Sequence, residues 1–344
     1  MERNGTSKGK GVTRQRGAVR GLFDADADAT SAPRLALSAP TPVQTRLLDA
    51  ADAIRHDSQH DVLYQHSLLC QTGLPAKQPG EGVRFWERRQ GRAHVMLEAG
   101  HAFHPGKGRA VELPLPYGPK ARLMMIHVHS QAVRKQSPIV DVGDSMTSFV
   151  RRVMSGPEEQ RDPNGREIRA FKDQLAALAA ARMSFAFLAD GRATQVNAQI
   201  IRSFDVWFPK DASQRVFWPS TVELSPEYFE NLARHAVPLH DRAISALSHS
   251  AVALDAYCWL AQRLHWITPG KPQLVPWISL YEQFGHGYSQ LRQFRAFFLK
   301  MLRQVHTVYP EARFDIDRRG MLLHQSPPPV TRRLVVVNSL ALVG

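Results

Sequence analysis

Apolar residues along this chain fall in two rhythms. Stretches with apolar positions three and four residues apart predict helices, and short alternating or continuous apolar runs predict strands. The run TPVQTRLLDAADAI has a capping Thr41 and Pro42 at the first helical position, and it opens an ordered region that continues through FWERRQGRAHVMLEAG. After the proline-rich LPLPYGPK, Ala121 to Lys135 reads as a mostly buried helix and SPIVDVG as a short extended piece. Asp144 or Ser145 would cap a second helix through SMTSFVRRVM. Past the Gly/Pro-rich break SGPEEQRDPNG, a third helix is expected from Arg166 to about Arg182. A β-hairpin should close this unit. Its strands would be MSFAFLA and a longer arm within ATQVNAQIIRSFDVWF, joined by Asp190-Gly191, a dipeptide that supplies positive φ to a tight turn.

The same order returns after the connecting helix LSPEYFENLARHAV. A helix within SAVALDAYCWLAQRLHWI is followed by a shorter one in VPWISLYEQFG, a long one from Ser289 to Tyr309 and the hairpin ARFDIDRRGMLLHQ. Corresponding elements start about 125 to 130 residues apart, which points to two copies of one supersecondary plan. Helix, helix, helix, hairpin is winged-helix order. The expected fold is therefore α+β and mainly helical, with two tandem winged-helix modules carrying β-hairpin wings. The expected layout is a disordered basic arm over 1–40 and an N-terminal helical scaffold over 41–115. A first module over 116–222 follows, then a connecting helix with the second module over 223–330, and a tail over 331–344.

Charge changes the picture where it meets this helical periodicity. At about 100° per residue, Leu291, Phe294, Phe298, Met301, Leu302, Val305 and Val308 share one arc of the long helix, and Arg292, Arg295, Lys300 and Arg303 occupy the opposite one. In the third helix of the first unit Ile168, Phe171, Leu175 and Leu178 share an arc, with Arg166, Arg169 and Lys172 pointing away near the helix start. An apolar face that anchors the helix leaves guanidinium groups able to pair with base edges in a major groove or to clamp phosphates. Each helix is followed by a hairpin with a basic tip, Gly191-Arg192 in one and Asp317-Arg318-Arg319-Gly320 in the other, placed as a wing that meets phosphate or minor groove. The competing reading of each stripe is a solvated basic face.

Composition narrows the classes. The chain has 344 residues, 44 Lys plus Arg against 31 Asp plus Glu, and a formal net charge of +13, which favours a polyanionic partner. The hydrophobic fraction is 43%, and no apolar run approaches the roughly 20 residues of a membrane span. The opening MERNGTSKGKGVTRQRGAVRG is basic but lacks the apolar stretch of a secretory signal, so a cytoplasmic location is expected. Cys70 and Cys258 are the only cysteines, too few for a disulfide framework or a CxxC zinc site, and read as buried thiols.

Other motifs point to neither a cofactor nor a metal. Asp24, Asp26 and Asp28 have the spacing of a calcium loop, but Ala29 stands where Gly is needed and Leu35 where Glu is needed. His101 and His104 lack partners at finger spacing, and HPGKGRA falls short of a phosphate loop. His127-Val128-His129 has the pattern with which rolling-circle nicking enzymes hold a metal beside a nucleophilic Tyr. That motif belongs on a strand, where alternate residues share a face, and the flanking sequence here favours a helix, so no catalytic residue is expected.

The strings LPYGPKARLMMIHVHSQAVRKQSP, GDSMTSFVRRV, GREIRAFKDQLAAL and VNAQIIRSFDVWFPKDASQRVFWPSTVELSPEYFENL resemble the plasmid-encoded RepA replication initiator family. So do HAVPLHDRAISAL, ALDAYCWLAQRLHWITPGKPQLVPWISLYEQFG and RGMLLHQSPPPV, which extends the resemblance over about Thr41 to Val330. It implies binding to repeated sites in double-stranded plasmid origin DNA, opening of the duplex there, and recruitment of the host initiator and replicative helicase. It assigns no base contact; Arg166, Arg169, Lys172, Arg192, Arg292, Arg295, Lys300, Arg303, Arg318 and Arg319 rest on helical and hairpin geometry alone. Initiators of this kind switch between dimer and DNA-bound monomer, and IRSFDVWFP offers a self-pairing edge for a homodimer, with a core role as the alternative. The alternatives from other classes are a rolling-circle nicking enzyme, a winged-helix transcriptional repressor and a ribosome-associated structural protein.

Overall fold

The computed structural model describes residues 39–56, 61–91, 93–104, 108–142, 148–151, 163–189, 192–196, 200–207 and 218–330. The arm over 1–38, the tail over 331–344, the helix cap expected at Asp144 or Ser145 and the turn at Asp190-Gly191 lie outside those residues. The fold is α+β, and its strands form five small antiparallel sheets among the described residues.

Helix α1 spans Pro42–His56, and Thr41 and Gln44 bond reciprocally at its start. Strand β1 (Val62–His66) runs into the short helix α2 (Ser67–Thr72). Two hairpins follow, β2 (Phe85–Gln90) with β3 (Ala93–Glu98) and β4 (His101–His104) with β5 (Arg109–Glu112). Helix α3 (Gly118–Lys135) begins nearly one turn before the expected Ala121, because Pro119 is tolerated in the first turn, where no intrahelical N–H is required. It ends at Gln136, whose φ of 50° is left-handed.

Strand β6 (Ile139–Asp141), a helical stretch at 148–151 and helix α4 (Gly165–Ala180) come next. Four strands follow: β7 (Arg182–Ala189), β8 (Arg192–Val196), β9 (Ile201–Trp207) and β10 (Trp218–Leu224). The expected single hairpin is in fact divided between two sheets. Strand β7 pairs with β8, Ala189 facing Arg192, and on its other edge with β3, which makes the order β2-β3-β7-β8. Strand β9 instead pairs with β10, and β10 with β6, in the order β6-β10-β9. The arm read as continuous therefore breaks between Val196 and Ile201. A two-residue turn fixes which strands are neighbours locally, but it does not fix the sheet that the chain joins afterwards.

The second unit repeats the plan. Helix α7 (Ala251–Arg263), strand β12 (Gln273–Pro276), helices α8 (Trp277–Phe284) and α9 (Leu291–Val308) and strands β13 (Phe314–Ile316) and β14 (Gly320–Leu323) follow in order. The strand order is β12-β14-β13. In both units the strand after the first helix pairs with the last strand, which lies in the middle of its sheet.

The duplication reaches further upstream. Helix α5 (Pro226–His235), strand β11 (Ala236–His240) and helix α6 (Asp241–Leu247) match α1, β1 and α2 in type and order. Strands β1 and β11 pair antiparallel, Val62 facing His240 and His66 facing Ala236. Each ends in a histidine that caps the next helix: the Nδ1 atoms of His66 and His240 accept the N–H groups of Leu68 and Arg242, at 3.1 and 3.3 Å. One continuous apolar core runs through both halves, from Leu47 to Leu323, with Trp259, Tyr257, Phe294 and Phe298 among its largest buried side chains. Cys70 and Cys258 are buried in it as free thiols.

Candidate nucleic-acid interface

Helix α4 starts on a complete capping box. The Asn164 side chain accepts the N–H groups of Arg166 and Glu167, and the Glu167 carboxylate accepts the Asn164 N–H at 2.9 Å. Phe171, Leu175 and Leu178 anchor the helix in the core, while Arg166 and Arg169 are exposed in its first two turns. Lys172 is half-buried, and that burial lowers its pKa. Burial raises the carboxyl pKa of Asp173, against the opposing pull of Arg169.

Helix α9 has the expected apolar stripe: Phe294, Phe298, Met301, Leu302, Val305 and Val308 are buried. Leu291 is the exception. It is 38% exposed, because the first residue of the helix overhangs the end of the core rather than facing it. On the opposite face Arg292, Lys300 and Arg303 are exposed and Arg295 is half-buried. These four cations do not form one uniform stripe. Lys300 and Arg303 line a hollow shared with the start of α1, at Pro40, Val43 and Gln44, whereas Arg295 lies over the ring of Trp277, 4.6 Å from its centroid, at the start of α8.

The turn between β13 and β14 is tightly organised. The Asp317 carboxylate accepts the backbone N–H groups of Arg319 and Gly320 at 2.7 and 3.0 Å, and the Arg319 guanidinium closes back on it at 3.1 Å. Those backbone donors hold the Asp317 pKa below the usual carboxylate range. Arg318 is exposed at the apex, and the expected pair of tip arginines is therefore unequal, with Arg319 partly compensated by Asp317.

In the first unit Arg192 begins β8, in the sheet built with the N-terminal hairpin and not in the three-stranded sheet of its own unit. The link between β9 and β10, which corresponds to the β13–β14 turn, lies at 208–217, outside the described residues. Sequence reasoning passed over Trp277. The signal available was an aromatic at the first position of a helix directly after Pro276, at core spacing with Leu280 and Phe284 but carrying a polar N–H.

His127 and His129 are on helix α3, not on a strand, and they face different neighbours. The His127 ring packs on Phe149 at 4.6 Å, and His129 bonds to Gln65 and Tyr228 at 2.6 and 2.9 Å. Among the described residues there is no cluster of three or more His, Cys, Asp or Glu side chains arranged to hold a metal ion. Nor is any described helix long and apolar enough to cross a membrane.

Two solved structures of domains 2 and 3 of RctB are similar to this chain. One, of selenomethionine derivatives, has a TM-score of 0.44 at 7% identity and covers 69% of this chain and 84% of that one. The other, of residues 155–483, has a TM-score of 0.43 at 9% identity, covering 69% and 82%. No curated protein matches the chain. The family described as "Plasmid encoded RepA protein" matches residues 115–278, from just before α3 through the whole first three-stranded unit to the start of α8. Through that span, somewhat under half of its length, the chain is similar to the plasmid-encoded RepA family, the family its sequence resembles.

Proposed function

We propose that this protein is a replication initiator that acts by sequence-specific binding to repeated sites in double-stranded plasmid origin DNA, using two tandem winged-helix units. The observation that carries the reading is the recurrence of one sheet order, β6-β10-β9 and β12-β14-β13, behind helices whose first two turns carry Arg166 and Arg169 in one unit and Arg292 and Arg295 in the other. N-terminal residues of such a helix reach base edges, and a hairpin tip beside it meets the phosphates. On this reading opening of the duplex follows binding, the host initiator and replicative helicase are recruited to the opened site, and the chemistry is non-covalent throughout, in the cytoplasm. Self-pairing into a homodimer belongs to the same proposal.

The test is a titration of the full chain against a duplex that it selects from a random pool and against a shuffled duplex of equal composition, over a range of salt. Six to ten phosphate contacts lower the affinity by about a thousand-fold or more between roughly 50 and 200 mM salt, and base reading adds a clear preference for the selected duplex. Equal affinity for both duplexes would sink the reading. Permanganate reactivity of thymines beside the site separates an initiator, which melts the duplex, from a repressor, which leaves it paired.

A further inference from the structure

Three bonds converge on Trp277. Its backbone N–H donates to the Arg319 carbonyl at 3.0 Å, and its indole Nε1–H donates to the Asp317 carbonyl, also at 3.0 Å. Its ring carries the Arg295 guanidinium at 4.6 Å from the centroid. The residue is 4% exposed, packed between β12, the β13–β14 turn and the second turn of α9. One residue thus bonds to both ends of the hairpin turn, to Arg319 through its backbone N–H and to Asp317 through its indole, and its ring supports a cation on the neighbouring helix.

We infer that Trp277 is a positioning residue for recognition: it fixes the wing tip and the Arg295 side chain in one rigid frame before DNA arrives. This rests on the DNA-reading role proposed above and deepens it. An exposed arginine has many rotamers, and confining it on binding costs entropy that reduces discrimination. A guanidinium held over an aromatic face keeps its planar donor edge available while losing most of that freedom beforehand. The indole N–H, meanwhile, holds the carbonyl of the tip's first residue, so that Arg318 and Arg319 are presented at a set distance from Arg295. A ring that served only as core would not need the indole bond to the turn.

The experiment uses the full chain with three substitutions and two readouts. In the protein without DNA, side-chain NMR should show Arg295 shifted by the ring current and the Trp277 indole N–H exchanging slowly. Trp277→Leu should abolish the Arg295 shift. Trp277→Phe should keep it, since a ring remains, although the hydrogen bond to the turn is lost. Against the selected and shuffled duplexes, Trp277→Leu should lower the preference roughly ten-fold, matching Arg295→Ala, and the double substitution should be no worse than Arg295→Ala alone. Trp277→Phe should keep the preference within about two-fold but show a salt slope smaller by about one, as a wing phosphate contact is lost. A folded Trp277→Leu protein with wild-type preference, additive losses in the double variant, or an unshifted Arg295 in the free protein would each overturn the inference. A wild-type protein with the NMR signatures but no preference between duplexes would instead overturn the DNA-reading role on which the inference depends.

Discussion

Arg122 on α3 and Asp255 on α7 form a buried two-pronged ion pair, Nε to Oδ1 and Nη2 to Oδ2, both at 2.6 Å. The remaining guanidinium N–H groups donate to the carbonyls of Leu74, Pro75 and Gly118, so all five donors are used. The pair joins the first helix of one unit to the first helix of the other and pins the loop after α2 between them. Removing one partner leaves the other buried without compensation, which typically costs about 3 to 5 kcal/mol. Asp255→Asn and Arg122→Met should each lower the stability of the full chain by that order in urea unfolding. Arg122→Met with Asp255→Leu should lose less than the sum, because no orphan charge remains. Additive losses would count against the pair acting as a unit.

Gly73 bears on the same pair. It adopts φ +63°, and a Cβ there would stand 2.6 Å from Asp255 Oδ2. The carboxylate cannot swing aside without breaking its bonds to Arg122. Gly73→Ala should therefore destabilise by more than the roughly 1 kcal/mol of left-handed strain alone. In an Asp255→Ala background the steric part vanishes and only the strain remains. Equal cost in both backgrounds, measured by thermal melts, would show that the contact is not limiting.

A buried histidine network sets the pH response. His129 Nε2 accepts the Tyr228 hydroxyl, and its Nδ1–H donates to Gln65 Oε1, which also accepts the His66 N–H. His66 Nδ1 accepts the Leu68 N–H, so its proton sits on Nε2, facing Asn231 Oδ1. Every bond in this network fits a neutral imidazole. Burial pushes His66 down from 6.5 to about 4, and burial together with the nearby His66 pushes His129 well down. Above pH 6.5 folded and unfolded states are both neutral here, and stability does not vary from this source. As pH falls below 6.5 the unfolded chain takes up protons that the folded chain refuses, so stability drops steadily until about pH 4. His66 alone accounts for about 3 kcal/mol of that loss. A flat unfolding free energy between pH 7 and pH 5 would contradict this arrangement.

The repeated plan was legible because long amphipathic helices write their period directly into the sequence. Phe294, Phe298, Leu302 and Val305 specify one face of α9 whatever surrounds it, and all four are buried. What was not legible depends on distant partners. Nothing in MSFAFLA states that its second edge will pair with Ala93–Glu98, nearly ninety residues earlier, nor that the strands after it divide between two sheets. Likewise Arg122 and Asp255 are 133 positions apart, and each alone reads as a polar interruption in an apolar helix. At the candidate interface the sequence supplied the cations but not their unequal surroundings.

That inequality yields the last prediction. Along α9, Arg295 lies over Trp277, which is bonded to the β13–β14 turn, and Arg292 is one turn before it, whereas Lys300 and Arg303 flank the start of α1, about two turns beyond Arg292. When the front of a recognition helix enters the major groove, its rear half rises away from the base edges toward the backbone. Arg292→Ala should then cut discrimination between the selected and shuffled duplexes by about five-fold or more, as loss of a base contact does. Lys300→Ala and Arg303→Ala should weaken both duplexes alike, each reducing the salt slope by no more than about one. The same contrast should separate Arg166 and Arg169, at the front of α4, from the half-buried Lys172. Loss of discrimination in Lys300→Ala with none in Arg292→Ala would mean that the helix lies in the groove the other way round, and that the hairpin turn beside Trp277 points away from the DNA.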